Sequence, residues 1–228
     1  MPVTTCIFDA YGTLYDVAAA ARRAAEQPGQ TQLAEVWPKL AADWRAKQLE
    51  YSWLRAITGD YTPFWEVTKD GLDWAMEASG LDDPVLRETL LALYWELPAY
   101  KEAPKTLATL KAKGFTTAIL SNGSTEMLEG ARDFSGIGEW LDATLSVEEV
   151  GIFKPARAVY DMVGSHFGTT PDQVLFVSAN GWDAAGAAAY GFHTAWVNRH
   201  DAPVDRMPAR PGHIAPDLTT IPDLASTL

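Results

Sequence analysis

The chain has 228 residues, of which 47% are hydrophobic, and it carries a formal net charge of −12. This length and composition fit one globular unit, or a core with a small accessory domain, and they exclude a disordered chain. The acidic balance argues against nucleic acid or an anionic membrane as a partner, because both require basic surfaces. The single cysteine, Cys6, excludes an intrachain disulfide and a cysteine-based zinc site.

The N-terminal residues MPVTTCIF contain no basic region followed by a long apolar stretch, so we expect no signal peptide. No apolar run approaches the roughly 20 residues that cross a bilayer. The four histidines are scattered, without the spacing of metal ligands. These observations favour a cytoplasmic protein with no membrane attachment.

Short apolar runs predict buried strands. The first covers residues 3–9, and the others cover residues 116–120, 143–147, 174–177 and 194–197. Between them lie helix-like stretches that end at or beside a glycine, over residues 103–113, 155–168 and 183–190. Strands that alternate with helices predict an α/β fold with a Rossmann-like parallel sheet, covered by helices on both faces.

Residues 17–98 interrupt this alternation, because they contain no convincing strand and hold six of the nine tryptophans. A helix is predicted over residues 39–56, with Pro38 near its first turn and Arg45 at the edge of its buried stripe. That stripe is predicted to consist of Ala41, Trp44, Gln48, Tyr51 and Arg55. We interpret residues 17–98 as a helical cap domain inserted into a core domain of residues 1–16 and 99–228. The alternative is a second helical half of one domain.

The proline-rich stretch 201–217 near the C-terminus is predicted to be a surface loop.

Polar and ionisable side chains follow the predicted strands at the point where each strand ends. They are Asp9, Tyr11 and Thr13, then Ser121 and Asn122, then Lys154, and finally Ser178, Asn180, Trp182 and Asp183. Ligands of open parallel sheets bind beyond the carboxyl ends of the strands, so these residues predict a site at that edge. Each residue alone has a structural alternative; Asp183, for example, could cap the following helix. The agreement of four strand ends favours a functional site.

The ordered motifs resemble those of the haloacid dehalogenase superfamily. They are DAYGT at 9–13, SNG at 121–123, KP at 154–155 and VSANGWD at 177–183. Phosphatases of this superfamily carry acids at the places where this chain has Tyr11 and Ala179. Both departures resemble the L-2-haloacid dehalogenases, as does WRAKQLEYSWLR at 44–55. The resemblance implies a HAD-like fold and hydrolysis of L-2-haloacids to D-2-hydroxy acids, with inversion at C2.

The two departures are chemically consistent with that reaction. A phosphoester needs a general acid for its leaving alkoxide and a metal ion to neutralise its charge. Chloride and bromide are weak bases that leave without a proton, and a monocarboxylate carries one charge that an arginine can balance. We therefore expect no metal and no cofactor.

The resemblance also implies individual roles. Asp9 is the nucleophile that attacks C2 and forms an ester, and Lys154 is its ionic partner. Arg45, on the cap helix, reaches the leaving halide. Ser121 and nearby backbone amides bind the carboxylate of the substrate.

The remaining roles concern positioning, water and the shape of the pocket. Thr13 and Ser178 position Asp9, while Tyr160 supports Lys154 and contributes to substrate binding. Asn180 and Asp183 hold or activate the hydrolytic water. The residues expected to shape the pocket are Tyr11, Asn122 and Trp182.

Two other functions remain open from the sequence alone. A magnesium-dependent phosphatase of the same superfamily would need the two missing acids. A non-catalytic binder of small carboxylates is the alternative from another class. The expected partners are a small 2-haloacid and a halide ion. A homodimer is also expected, because dimers are common in the family and an aromatic-rich cap could supply an interface, although the tryptophans could equally pack internally.

Overall fold

The structure, a computed structural model, describes residues 1–228. Its centre is one sheet of six parallel strands in the order β3-β2-β1-β4-β5-β6. The strands are β1 Thr5–Phe8, β2 Thr116–Ser121, β3 Ala143–Ser146, β4 Val174–Ser178, β5 His193–Val197 and β6 His213–Ala215. The first five confirm the predicted strands, with bounds that agree within two residues.

The central strand, β1, is buried along its whole length. Thr5 is in register with Thr116 of β2 on one side and with Val174 of β4 on the other. Helices cover both faces of a parallel sheet, which explains why β1 reads as a continuous apolar run. Cys6 lies in this strand, fully buried, and burial raises the pKa of its thiol to about 12.

Five helices flank the sheet: α5 Ala103–Ala112, α6 Thr125–Ser135, α7 Arg157–Phe167, α8 Gly181–Tyr190 and α9 Ile221–Thr227. Three of them confirm the predicted helices. The end of α7 shows why a glycine is a good stop signal. Gly168 follows its last residue with a φ of +68°, in the left-handed region that favours glycine.

Four further helices lie between β1 and α5, in a segment without strands: α1 Ala19–Ala25, α2 Thr31–Thr58, α3 Phe64–Ala78 and α4 Pro84–Trp95. We call these four helices the helical insertion. The chain enters and leaves it through adjacent segments, residues 14–16 and 98–100, which we call the neck. The amide of Asp16 donates to the carbonyl of Pro98 (3.0 Å), and that of Tyr100 donates to the carbonyl of Leu14 (2.8 Å). No helix of the molecule is both long and apolar enough to cross a membrane.

The predicted start of the long insertion helix is wrong. Helix α2 begins at Thr31, so Pro38 lies inside it rather than in its first turn. A proline within a helix removes one hydrogen bond, and a helix of 28 residues that packs against α3 tolerates that loss. The buried stripe of α2 contains Trp44 and Gln48, as predicted, whereas Ala41, Tyr51 and Arg55 are only half-buried.

The prediction of a loop over residues 201–217 is also incomplete, because β6 lies within that stretch. This strand has three residues and pairs with β5 at the edge of the sheet, where Ala195 is in register with His213. Three residues are too few to show the alternation by which a strand is recognised in a sequence.

Candidate active site

Asp9 lies directly beyond the last residue of β1, with its side chain almost fully buried. Its Oδ2 accepts hydrogen bonds from Thr13 Oγ1 (2.9 Å) and Asn180 Nδ2 (2.8 Å). Its Oδ1 lies 3.2 Å from Lys154 Nζ. Strand ends that are far apart in the sequence therefore converge on one carboxylate. The site lies between β1 and β4, where the strand order reverses and ligands bind in open α/β sheets.

A tight turn brings Thr13 back to Asp9. Gly12, with a φ of +86°, provides the left-handed conformation that this turn requires. The hydroxyl of Thr13 accepts a hydrogen bond from the amide of Ala179 (2.8 Å) while it donates to Asp9. The Gly-Thr turn therefore positions one of the hydrogen-bond donors on the Asp9 carboxylate.

Lys154 is buried and binds two carboxylates, those of Asp9 and Asp183, the latter at 2.9 Å. Burial alone would lower the pKa of this lysine, but the charges of Asp183 and Asp9 overcome that effect and raise its pKa above the ordinary value. Lys154 is therefore a fixed cation beside the Asp9 carboxylate. Its backbone amide donates to Asn122 Oδ1 (2.9 Å), so Asn122 positions the lysine.

Asp183 lies in the first turn of α8 and is fully buried. Its carboxylate accepts hydrogen bonds from Ser178 Oγ (3.1 Å) and Tyr160 Oη (2.8 Å), in addition to Lys154. Burial raises the pKa of Asp183; Lys154 opposes this shift and the charge of Asp9 adds to it. A carboxylate with a raised pKa is a stronger base than an ordinary one.

Two predicted roles need correction at this point. The hydroxyl of Tyr160 donates to Asp183 rather than to Lys154, so its support of the lysine runs through that carboxylate. A contribution of Tyr160 to substrate binding stays a prediction. Ser178 likewise donates to Asp183 and accepts from the amide of Asn180 (3.1 Å), so it acts on Asp9 only through these neighbours.

Arg45 extends from α2 of the insertion toward the core. Its Nη2 donates to Asn180 Oδ1 (3.2 Å) and to the carbonyl of Tyr11 (3.4 Å). Asn180, in turn, donates to Asp9, so a single side chain links the guanidinium to the carboxylate. Arg45 forms no salt bridge, and its charge is therefore available to an anion.

Ser121 ends β2 and is fully buried. Its hydroxyl oxygen accepts a hydrogen bond from the amide of Gly123 (3.1 Å), and its own proton has no partner within the protein. The carbonyl of Gly123 accepts from Ser146 Oγ (2.7 Å), which fixes the SNG turn. Ser121 can therefore donate to a ligand.

The ring of Tyr11 packs against this turn. A Cβ atom at Gly123 would lie 2.6 Å from Tyr11 Cε2, so the backbone approaches the ring more closely than any other residue would allow. On its other side Tyr11 stacks on Tyr94 of the insertion, with ring centroids 5.7 Å apart. Tyr11 therefore occupies the place of an acid as a buried aromatic ring between core and insertion, and its hydroxyl has no hydrogen-bond partner in the protein.

Trp182 lines a neighbouring apolar pocket of about 510 Å³ between α2 and the core. Its ring meets that of Trp53 edge to face, with centroids 5.3 Å apart. Phe153 and Pro155, on either side of Lys154, complete the wall nearest the centre. Trp182, which directly precedes Asp183 in the sequence, thus shapes a pocket beside the buried charges.

The described side chains include no group of three or more His, Cys, Asp or Glu residues that could hold a metal ion. The two carboxylates of the site, Asp9 and Asp183, share the ammonium group of Lys154 instead. Independence from metal stays a prediction.

Sequence reasoning missed two residues that contact this site. Arg199 donates to the carbonyls of Gly12 and Thr13. It follows β5, so the strand-end rule could have found it. Tyr94 stacks on Tyr11 from α4 of the insertion, and no local pattern marks it as a site residue.

Comparisons with known proteins agree with this geometry. Residues 3–191 match the family model described as haloacid dehalogenase-like hydrolase. The (S)-2-haloacid dehalogenase 1 of Pseudomonas sp. (strain CBS-3) is 44% identical over 224 residues, which is 98% of this chain and 96% of that relative.

Solved structures agree as well. A dehalogenase crystal structure superposes with a TM-score of 0.93 at 38% identity, over 98% of this chain and 97% of the other. The L-2-haloacid dehalogenase from Xanthobacter autotrophicus, with chloropropionic acid covalently bound, superposes with a TM-score of 0.85 at 34% identity, over 97% and 98% of the two chains. The chain belongs to the haloacid dehalogenase-like hydrolases and, within them, to the family of the (S)-2-haloacid dehalogenases.

Proposed function

We propose that this protein is a carbon–halide hydrolase that converts L-2-haloalkanoic acids to D-2-hydroxy acids through an ester on Asp9. One observation carries the proposal. The buried Asp9 carboxylate is held by Lys154, Thr13 and Asn180, and the guanidinium of Arg45 is bound to that same asparagine. A carboxylate fixed in this way is oriented for attack, and a nearby unpaired cation suits a departing anion.

In the first step a carboxylate oxygen of Asp9 forms a bond to C2 while the bond from C2 to the halogen breaks. The halide leaves with the electron pair toward Arg45, and no proton is needed. Attack from the side opposite the halogen inverts C2. The free hydroxyl proton of Ser121 supports binding of the substrate carboxylate at the end of β2.

In the second step water attacks the Asp9 carbonyl carbon and the ester bond to the hydroxy acid breaks. Asp183 takes one proton of the water, a role that its raised pKa supports, and returns a proton to the oxygen of the hydroxy acid as its ester bond breaks; the second proton of the water is released to solvent. The side-chain amide of Asn180, whose Nδ2 donates to Asp9 Oδ2 at 2.8 Å, polarises the ester. The nucleophile then regains its carboxylate with one oxygen from water.

The proposal includes a cap domain of residues 17–98 over a core of residues 1–16 and 99–228. The hydrogen-bonded neck supports these bounds, because the insertion enters and leaves the core at one place. Arg45 comes from the insertion and Asp9 from the core, so the site is complete only when the two meet. Since Asp9 is only 6% exposed, the cap has to move to admit a substrate.

We also propose that two copies pair through the outer face of α2 and α3. Leu54 (51% exposed) and Trp74 (40% exposed) lie there in a groove that is also lined by Arg55, Asp70, Asp73 and Glu77, and association would cover the apolar surface of these two side chains. Light scattering of the protein and of Leu54→Lys tests this; a monomeric wild type contradicts it.

Isotope labelling tests the ester. With enzyme in excess over L-2-chloropropionate in ¹⁸O-water, the first turnover should give D-lactate with unlabelled oxygen at C2 and one ¹⁸O on Asp9. If Asp9 instead activates a water that attacks C2, the product carries the label and the protein none. Tandem mass spectrometry of the peptide of residues 1–22 distinguishes Asp9 from Asp16, which serves as an internal control.

The same preparation separates the alternatives. Halide release from the L-substrate but not from the D-substrate, lost in Asp9→Asn, supports the enzyme. Binding of the haloacid without halide release identifies a carboxylate binder. Hydrolysis of phosphoesters with magnesium, but not of haloacids, identifies a phosphatase.

A further inference from the structure

We propose that Arg199 is a positioning residue for the nucleophile. It holds the turn that carries Thr13, and Thr13 holds Asp9. The inference rests on the proposed function in that it takes Asp9 as the nucleophile.

The side chain of Arg199 reaches the Gly-Thr turn from the end of β5. Its Nη1 donates to the carbonyl of Gly12 (3.3 Å) and its Nη2 to the carbonyl of Thr13 (3.1 Å). No backbone amide donates to either carbonyl, so this one guanidinium satisfies both. Thr13 is fully buried and Gly12 is half-buried, and a buried carbonyl without a partner is costly, which makes the pair of bonds a constraint on the turn.

The guanidinium is also held by two side chains, and Nη2, which donates to Thr13, makes one of these contacts. Nη2 lies 2.8 Å from Glu102 Oε1 in an ion pair whose side chains are 14% and 11% exposed. The guanidinium carbon lies 3.9 Å from the centre of the Tyr100 ring. A planar group held by a carboxylate and stacked on an aromatic ring keeps one orientation, which lysine cannot reproduce.

The turn needs such a constraint. Gly12 gives it the required left-handed conformation but contributes no side-chain packing. A shift of the turn would move the Thr13 hydroxyl, which donates to Asp9 Oδ2 at 2.9 Å. The carboxylate would then lose one of the donors that orient it toward C2.

The same contacts connect the neck to the nucleophile. The amide of Tyr100 donates to the carbonyl of Leu14, next to Thr13, and its ring lies under Arg199. The place where the chain returns from the insertion is therefore tied to the turn that positions Asp9. Arg199 bonds to the carbonyl side of that turn and to Glu102, so we expect it to affect alkylation rather than substrate binding.

Arg199→Met and Arg199→Lys test this role through kcat, KM and the single-turnover rate of alkylation. Arg199→Met should lower kcat and the alkylation rate on the order of 10-fold to 10²-fold, with KM within about threefold, because small misplacements of a reacting group have effects of this size. Arg199→Lys should recover part of the rate, since it keeps the charge near Glu102. The matched control is Arg87→Met, which removes an arginine paired with Asp73 on the insertion and should keep the wild-type rate.

A double-mutant cycle with Thr13→Val separates positioning from a general structural effect. If Arg199 acts through Thr13, the double variant should be about as slow as Thr13→Val alone. Losses that multiply, or an Arg199→Met variant that is only less heat-stable with an unchanged kcat per folded molecule, would overturn the proposal.

Hydrogen exchange gives a readout that does not depend on turnover. Arg199→Met should speed exchange in the peptide of residues 9–16 and leave the strands β2 and β4 unchanged. If the wild type releases no halide, the proposed function fails, and the exchange result still decides whether Arg199 holds the turn. Unchanged exchange in residues 9–16 overturns that role.

Discussion

At the scale of single residues, the site is a buried cluster of two carboxylates and one ammonium group. Asp9, Asp183 and Lys154 are each less than one-tenth exposed. Such a cluster is stable because both carboxylates lie against the one ammonium group and their remaining oxygens accept hydrogen bonds. The ammonium of Lys154 balances the charge of one carboxylate, so the cluster keeps one net negative charge. We infer that this is the charge of the carboxylate that attacks carbon, Asp9.

Removal of the lysine tests this balance. In Lys154→Met two buried carboxylates lose their cation, so we expect turnover to fall by about 10²-fold or more and the free energy of unfolding to fall by about 3–5 kcal/mol at neutral pH. Halide release and denaturant titration measure the two effects. Lys111→Met, which breaks a more exposed pair with Asp142, is the control.

The stability deficit of Lys154→Met should depend on pH with a definite sign. The pKa of Asp183 is already raised in the native protein, and the loss of the neighbouring cation raises it further. The folded variant therefore binds a proton more tightly than its unfolded chain does, so it gains stability as the pH falls through that raised pKa. The difference in the free energy of unfolding between the wild type and Lys154→Met should therefore become smaller in mild acid. A difference that becomes larger in mild acid, or normal turnover of the variant, would contradict the role given to Lys154.

At the scale of elements, the packing of α8 decides where Asp183 lies. A Cβ atom at Gly186 would come within 2.7 Å of Tyr160 Oη and 2.8 Å of Pro155 Cβ. Tyr160 binds Asp183, which lies on the same helix as Gly186. The glycine therefore permits the close approach that joins α8 to the tyrosine and to the segment of Lys154.

Gly186→Ala should consequently destabilise the protein by about 1–3 kcal/mol, the usual range for overpacking, and lower kcat. The sign of this change in stability is informative, because a Gly→Ala substitution in an exposed helix stabilises the protein by up to about 1 kcal/mol. Thermal unfolding and halide release measure both effects. Ala189→Ser, at an exposed position of α8, should match the wild type. A Gly186→Ala variant that is more stable than the wild type would show that a Cβ atom fits at this position, and would contradict the close packing of α8.

The elements also show how far the sequence predicts the molecule. Apolar runs identify the first five strands, and the rule that polar residues follow strand ends brings Asp9, Ser121 and Asp183 to one edge. The three residues of β6 are below the length at which a pattern appears. The interior Pro38 of α2 is misread because packing against α3 outweighs a local breaker signal. The partners of Tyr160 and Tyr94 depend on long-range packing, which a local pattern does not contain.

At the scale of the whole molecule, the site is assembled across the boundary of core and insertion. The net charge of −12 does not represent the charge at the site, because Arg45 and Lys154 provide local positive charge there for an anionic substrate. This local charge also bears on metal dependence. The ammonium of Lys154 lies between the two site carboxylates, while Tyr11 and Ala179 occupy the places where phosphatases of the superfamily carry acids.

Halide release should therefore be unaffected by a chelator. Enzyme dialysed against EDTA and then assayed with or without added magnesium should show equal rates, within the error of a halide assay. The control is the same dialysis without chelator. Loss of activity with EDTA and its return with magnesium would mean that a divalent ion takes part in the reaction.

The burial of Cys6 affects how readily the substrate can inactivate the enzyme by alkylation. 2-Haloacids are alkylating agents, and a thiolate attacks them readily and irreversibly, whereas an aspartyl ester is reversed by water. The only thiol of the chain lies inside the central strand with a pKa of about 12, so it is neither ionised nor within reach. The thiol of the chain is therefore protected from alkylation, while the ester proposed on Asp9 is one that hydrolysis reverses.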